Sequence, residues 1–159
     1  MKKQTIKTAL AITSIGIMLS SPLAISHFDD KAIPQSYRQS YFALLAANFG
    51  PLAAMVKGEM TWNDESFQHF ADDLATAASL DIARGFPEGS HTGQTRAKPE
   101  IWENKTDFDS KIGDLKEATM ALKIAAVTGD KGKIMEAFKA TGGACKACHD
   151  DYKSKNYLN

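Results

Sequence analysis

The chain has 159 residues, with 19 basic and 19 acidic side chains, and shows no basic patch of the kind that binds nucleic acid. Two cysteines are too few for a disulfide scaffold, and a 43 % hydrophobic share suits one domain that folds around its own core. No internal repeat or low-complexity tract divides it.

Residues 1–26 read as a secretory signal peptide. Lys2, Lys3 and Lys7 give a positive start, and Thr8 to Ser20 is mostly apolar but too short for a comfortable bilayer span. Ala24-Ile25-Ser26 supplies small residues for a signal peptidase, so cleavage is expected after Ser26; an uncleaved membrane anchor is the alternative. Removal takes three lysines and no acids, leaving 16 basic against 19 acidic residues and a net charge of −3. Residues 27–159 then form a single domain with no attachment to the membrane.

Four helices are predicted in that domain. The first starts near Pro34, a favourable first-turn residue, and runs to Lys57 with Gly58 as its stop; Pro51 is expected to kink it. Tyr37, Tyr41, Leu44, Leu45, Leu52 and Val56 form one stripe, and Arg38, Phe42, Ala46, Phe49 and Ala53 a second. Two stripes call for burial against more than one neighbour. The second suits the bundle interior and the first another subunit, although plain core is the commoner outcome for both. The second helix opens at Asn63 with Asp64 and Glu65 in its first turn, carries Phe67, Phe70, Ala71, Leu74 and Ala78 inward, and runs to about Ala83. A long polar loop from Arg84 to Pro99 follows, of a length that is often functional.

The third helix covers Asn104 to Thr128, with Phe108, Ile112, Leu115, Thr119, Leu122 and Ala126 inward and Gly129 as its stop. Asp130 caps the fourth, which carries Ile134, Phe138 and Tyr152 on one side. Gly142 and Gly143 loosen that helix just before Cys145, where close approach of neighbouring groups would be useful.

The fourth helix holds Cys145-Lys146-Ala147-Cys148-His149, which contains both cysteines of the chain. This is the attachment signature of a c-type haem, in which two thiols add to the haem vinyl groups and the following imidazole binds iron. On a helix the three side chains fall at i, i+3 and i+4 and leave from one face. A thioredoxin-type dithiol would need a strand before it and a helix start at the motif, and no convincing strand is found. A zinc site would need further ligands nearby, but His27, His69 and His91 are scattered. A disulfide across three positions in mid-helix would be strained. Haem c attached through Cys145 and Cys148, with His149 on iron, is therefore the cofactor expected, and export to the periplasm suits its loading. The second stripe of the first helix suits the haem as well as the bundle interior.

With these elements in order, the chain resembles cytochrome c′. The resemblance rests on Cys145-Lys146-Ala147-Cys148-His149-Asp150 in the last helix and Tyr37-Arg38-Gln39-Ser40 in the first. Asn48-Phe49-Gly50, Val56-Lys57-Gly58 and Ala97-Lys98-Pro99-Glu100-Ile101-Trp102 add to it, so the matches span nearly the whole mature chain. The resemblance implies an all-α, antiparallel four-helix bundle with a covalently attached, pentacoordinate haem, often a homodimer packed through the first helix. It puts Phe42 over the open sixth position of iron and sets Arg38 and Gln39 at the haem propionates, with Gln94 and Thr95 as further propionate candidates. By residue type alone, Phe42 serves as well as a core aromatic, Arg38 as a solvated charge, and Gln39, Gln94 and Thr95 as surface residues. Lys153 departs from the arginine common four residues after the haem histidine, and lacks its planar fork.

Two functions follow from the resemblance. One is a haem protein that binds NO or CO and exchanges electrons with a redox partner; the other is a low-spin electron carrier resembling cytochrome c-556, with a methionine as second iron ligand. Met55 lies about three turns beyond Phe42, and Met60 falls past Gly58, so neither suits that role. A phenylalanine cannot ligate iron but can swing aside for a small neutral diatomic, which favours gas binding. A peroxidase-like enzyme would need a distal acid or base, and no histidine stands near Phe42; no enzymatic activity is expected.

Overall fold

The computed structural model describes residues 33–158; the expected signal peptide, its expected cleavage after Ser26, and His27 lie outside the described residues. Helix α1 spans Ile33–Lys57 and runs through Pro51 as a single element. It ends at Gly58, whose φ of +75° is the left-handed conformation that glycine adopts without penalty, and the amides of Glu59 and Met60 both donate to the Ala54 carbonyl. Helix α2 spans Asp64–Ser79 and is capped by Asn63, whose side chain accepts from the Ser66 amide at 2.7 Å.

This helix stops four residues earlier than its apolar pattern suggests. The Asp81 carboxylate accepts from the Ala83 amide and starts a separate 3₁₀ turn, Ile82–Gly85. A short acidic side chain offers the backbone a competing partner, and here the competition ends the α-helix. After a short helix α3, Glu100–Glu103, the long α4 spans Lys105–Thr128, and α5 spans Lys131–Tyr152 with Asp130 accepting from the Gly132 and Lys133 amides.

The four long helices make the expected all-α bundle, α1 packing on α2, α2 on α4 and α4 on α5. Leu52, Phe67, Phe108, Leu122 and Ile134 lie fully buried at its centre. The polar loop is more ordered than expected. It contributes strand β1, Thr95–Ala97, which pairs antiparallel with β2, Lys153–Leu158, in the register Thr95 to Leu158 and Ala97 to Lys153.

Two expectations need correction. Tyr41 and Leu45 were assigned to a stripe facing another subunit, but they are only 2 % and 9 % exposed and belong to the chain's own core. The Tyr41 hydroxyl donates to the Ala78 carbonyl at 3.2 Å, so this stripe is the seam between α1 and α2. Gly142 and Gly143 do not answer to crowding by protein atoms: a Cβ at Gly142 would sit 3.8 Å from Phe49 Cζ, and one at Gly143 would meet open space.

Candidate functional site

Helices α1 and α5 face each other across a cavity of about 560 Å³ whose lining is mostly apolar. Phe49 of α1 stacks on Phe138 of α5 with ring centroids 4.9 Å apart and planes 3° from parallel, bridging the two helices. Thr141 is fully buried on α5, and its hydroxyl reaches the carbonyls of Ala137 and, on α4, Ala118. These contacts fix α5 against both neighbours while leaving the space between α1 and α5 open.

All eight side chains singled out in the sequence line this cavity: Arg38, Gln39 and Phe42 from α1, Gln94 and Thr95 at β1, and Cys145, Cys148 and His149 from α5. Phe42 is half-buried and meets Tyr41 edge to face at 5.2 Å. Gln39 and Gln94 are exposed, whereas Thr95 is buried. Met55 is buried in the core and Met60 is exposed beyond the end of α1, and neither lines the cavity.

Burial pushes both thiols up, Cys148 to about 11, so they are protonated at neutral pH. An activated dithiol redox site needs the opposite shift. His149 stands exposed at the mouth of the cavity. Partial desolvation, then the charges of Lys153 and Arg96, draw its pKa down and hold the imidazole in the neutral form that can ligate a metal.

Arg38 is 5 % exposed, and its guanidinium is held entirely by neutral oxygens. Nη1 donates to the Gly85 carbonyl at 2.9 Å and to the carbonyl and hydroxyl of Ser90, and Nη2 to Ser90 and Thr95. The ring of Phe86 packs under it at 5.0 Å. The expected solvated alternative for Arg38 does not hold, because Gly85 and Ser90 fold the loop over it. Gly85 is required there: a Cβ would come within 2.8 Å of Arg38 Cγ and 3.0 Å of Tyr37 Cδ1. Nothing in the sequence pattern marks Gly85 or Ser90, since their role depends on a contact across about fifty residues.

The charged residues on the cavity wall are Arg38, Arg96, Lys111 and Lys153, with no acid among them. Lys111 pairs with Asp151 at 3.0 Å and with Asp107 at 3.7 Å, whereas the other three make no ion pair among the described residues. An apolar cavity with unneutralised cations and two thiols on its wall suits a flat apolar ligand that carries carboxylates.

The family model described as Cytochrome C′ matches residues 34–153. The chain belongs to the cytochrome c′ family. The cytochrome c′ of Cereibacter sphaeroides is 36 % identical over 142 residues, covering 87 % of this chain and 94 % of that relative. The structure of cytochrome c prime from Shewanella frigidimarina has a TM-score of 0.77 at 40 % identity, covering 80 % of this chain and 99 % of that one. A nitric oxide complex of a mutant cytochrome c prime from Alcaligenes xylosoxidans has a TM-score of 0.72 at 33 % identity, covering 81 % and 99 %.

As a cytochrome c′, the protein carries covalently attached haem c, and Cys145 and Cys148 are the two thiols that fit its attachment motif. The site suits that group on three counts. Its volume lies within the range of about 300–1,000 Å³ usual for small-molecule and cofactor sites, its lining is apolar, and its free cations match the two haem carboxylates. Members of the family are in general binding or electron-carrying haem proteins. No described helix is long and apolar enough to cross a membrane.

Proposed function

We propose that this cytochrome c′ is a periplasmic protein whose haem iron has His149 as its one protein ligand, and that it takes up NO or CO at the open sixth position and exchanges electrons with a redox partner. The observation that carries the reading is the lining of the cavity. Phe42 stands on the α1 side, and no methionine and no second histidine lies among the described lining residues. A low-spin carrier of the cytochrome c-556 type would need such a ligand. The nitric oxide complex known for the Alcaligenes relative supports the same choice.

When bound, haem would supply an iron able to take a small diatomic. Each protein group would have its own part in using it. The neutral imidazole of His149 would offer the iron a lone pair from α5. The ring of Phe42 fills space on the α1 side of the cavity, so an entering ligand must be small enough to displace it. The apolar walls around Phe42 disfavour anions, which would lose their hydration on entering. Arg38, with Thr95 beside it and Gln39 and Gln94 at the rim, would offer a carboxylate its positive charge and the one N–H, on Nε, that the loop oxygens do not take. No catalytic group is assigned; among the described residues the cavity wall carries no carboxylate, and its one histidine is His149.

A homodimer through α1 belongs to the same reading, although not through Tyr41 and Leu45. The exposed side of α1 is Ala43, Leu44, Ala47 and Gly50, without a charge between Arg38 and Lys57, a surface suited to close helix packing.

The deciding experiment is the absorption spectrum of the purified holoprotein, oxidised and dithionite-reduced, with and without CO and NO. A high-spin ferrous spectrum that shifts on adding CO is expected. A low-spin ferrous spectrum indifferent to CO would replace gas binding by electron transfer alone.

A further inference from the structure

The family match ends at Lys153, and the chain continues beyond it as β2 to Leu158. This extension is fastened at several points. Arg96 Nε donates to the Ser154 carbonyl at 2.8 Å and Nη2 to the Lys155 carbonyl at 2.9 Å, so one side chain holds two consecutive residues of the strand. The Lys98 amide donates to the Tyr152 carbonyl at 3.1 Å, and Lys98 Nζ donates to the carbonyls of Asp150 and Asp151. The carbonyls that end α5 are thus satisfied as the helix passes directly into β2.

The paired strands line the cavity through Thr95, Arg96 and Ala97 on one and Lys153 and Tyr157 on the other. They stand on the side of His149, near enough for the charges of Lys153 and Arg96 to act on its imidazole. Tyr157 is an anomaly as a surface residue. The residue is 63 % exposed, is carried on an extension tied down by Arg96, and still borders the cavity. A large ring left in water loses the hydrophobic gain it would have when laid against an apolar body.

We propose that β2 is an added wall of the haem site, with Tyr157 screening the bound haem from water beside His149 and Arg96 acting as the positioning residue that clamps the strand. The proposal rests on haem c occupying this cavity and goes beyond the gas-binding reading. Its consequence is electrochemical. Excluding water from an iron centre disfavours the ferric form, which carries the extra positive charge, and so raises the reduction potential. The wall should therefore hold the potential above that of the same bundle without it.

The test is a spectroelectrochemical titration of the holoprotein and four variants. Tyr157→Ala changes no charge and is expected to lower the midpoint potential while leaving the haem content and far-UV circular dichroism unchanged. Tyr157→Phe keeps the ring and should titrate with the parent. Arg96→Lys keeps the charge but cannot span two carbonyls, and should move in the same direction as Tyr157→Ala. A chain ending at Lys153 should show a larger negative shift than Tyr157→Ala. If Tyr157→Ala and Arg96→Lys both titrate with the parent, the wall is refuted, whether or not the shortened chain loads haem. The readout is independent of ligand binding: a parent indifferent to CO would overturn the gas-binding reading, yet the shift would still report the wall.

Discussion

A guanidinium that is nearly excluded from water and has only neutral oxygens around it carries an unneutralised charge, and desolvation draws its pKa down. Arginine remains protonated even so, and the charge is available to a carboxylate in the cavity. Gly85 is what permits the arrangement, so Gly85→Ala should act through Arg38. Forcing a methyl group to 2.8 Å from Arg38 Cγ should cost about 1–3 kcal/mol, as overpacking usually does. A lower thermal midpoint together with a shifted reduction potential is expected; a lowered midpoint with an unmoved potential would mean that Arg38 does not act on the haem. Tyr41 supports a second prediction at this scale, this time of pH dependence. Burial first, with neighbouring Tyr37, raises its pKa from 10.0 to about 12. The folded state thus holds a proton that the unfolded chain releases, and the associated stability, complete below pH 10, is lost as pH rises towards 12. Tyr41→Phe should lose about 1 kcal/mol at pH 7 with the Ala78 hydrogen bond, and show a flatter decline above pH 10 in thermal melts.

Among the elements, the four long helices were legible because each declares one of its ends: Asn63 and Asp130 cap the starts of α2 and α5, and Gly58 and Gly129 are left-handed stops for α1 and α4. The haem run was legible because its chemistry is written in five adjacent residues. Three things were not. The end of α2 depends on Asp81 competing for the backbone, a choice between two locally reasonable structures. The pairing of β1 with β2 joins short segments almost sixty residues apart, neither of which has an alternating apolar pattern. The two stripes of α1 were found, but the one given to a partner subunit belongs to α2, because periodicity reports that a face is buried and not by what. The dimer proposal consequently moves to the remaining face. Leu44 is 48 % exposed there amid small residues, so Leu44→Glu should convert a dimer into a monomer in sedimentation velocity at micromolar concentration without altering the haem spectrum. A parent that sediments as a monomer at that concentration would remove the dimer altogether.

For the molecule as a whole, the haem cavity raises a question of stability. The cavity of about 560 Å³ opens to solvent at the mouth where His149 stands, so without haem its apolar lining stays in water and forgoes the burial that stabilises a core by about 25 cal/mol per Å². A domain of this size has a net stability of only about 5–15 kcal/mol, so the loss weighs heavily. The cavity cannot collapse cheaply, because Thr141 ties α5 to α4, the Phe49–Phe138 stack bridges α5 and α1, and Arg38 holds α1 to the loop. Closing it would also bring α5 against Arg38 and leave the guanidinium charge with no carboxylate to meet. The haem is therefore a structural component as well as the reactive one, and the bundle and its cofactor should form a single cooperative unit. The double variant Cys145→Ser, Cys148→Ser removes the covalent link without changing side-chain size appreciably. Purified free of haem, it should keep much of its helical far-UV circular dichroism but lose its near-UV signal and its sharp thermal transition, the behaviour of a collapsed chain without fixed packing. A haem-free variant that melts cooperatively near the temperature of the holoprotein would instead mean that α1 and α5 can repack around the empty space, and that the core formed by α1, α2 and α4 is sufficient by itself.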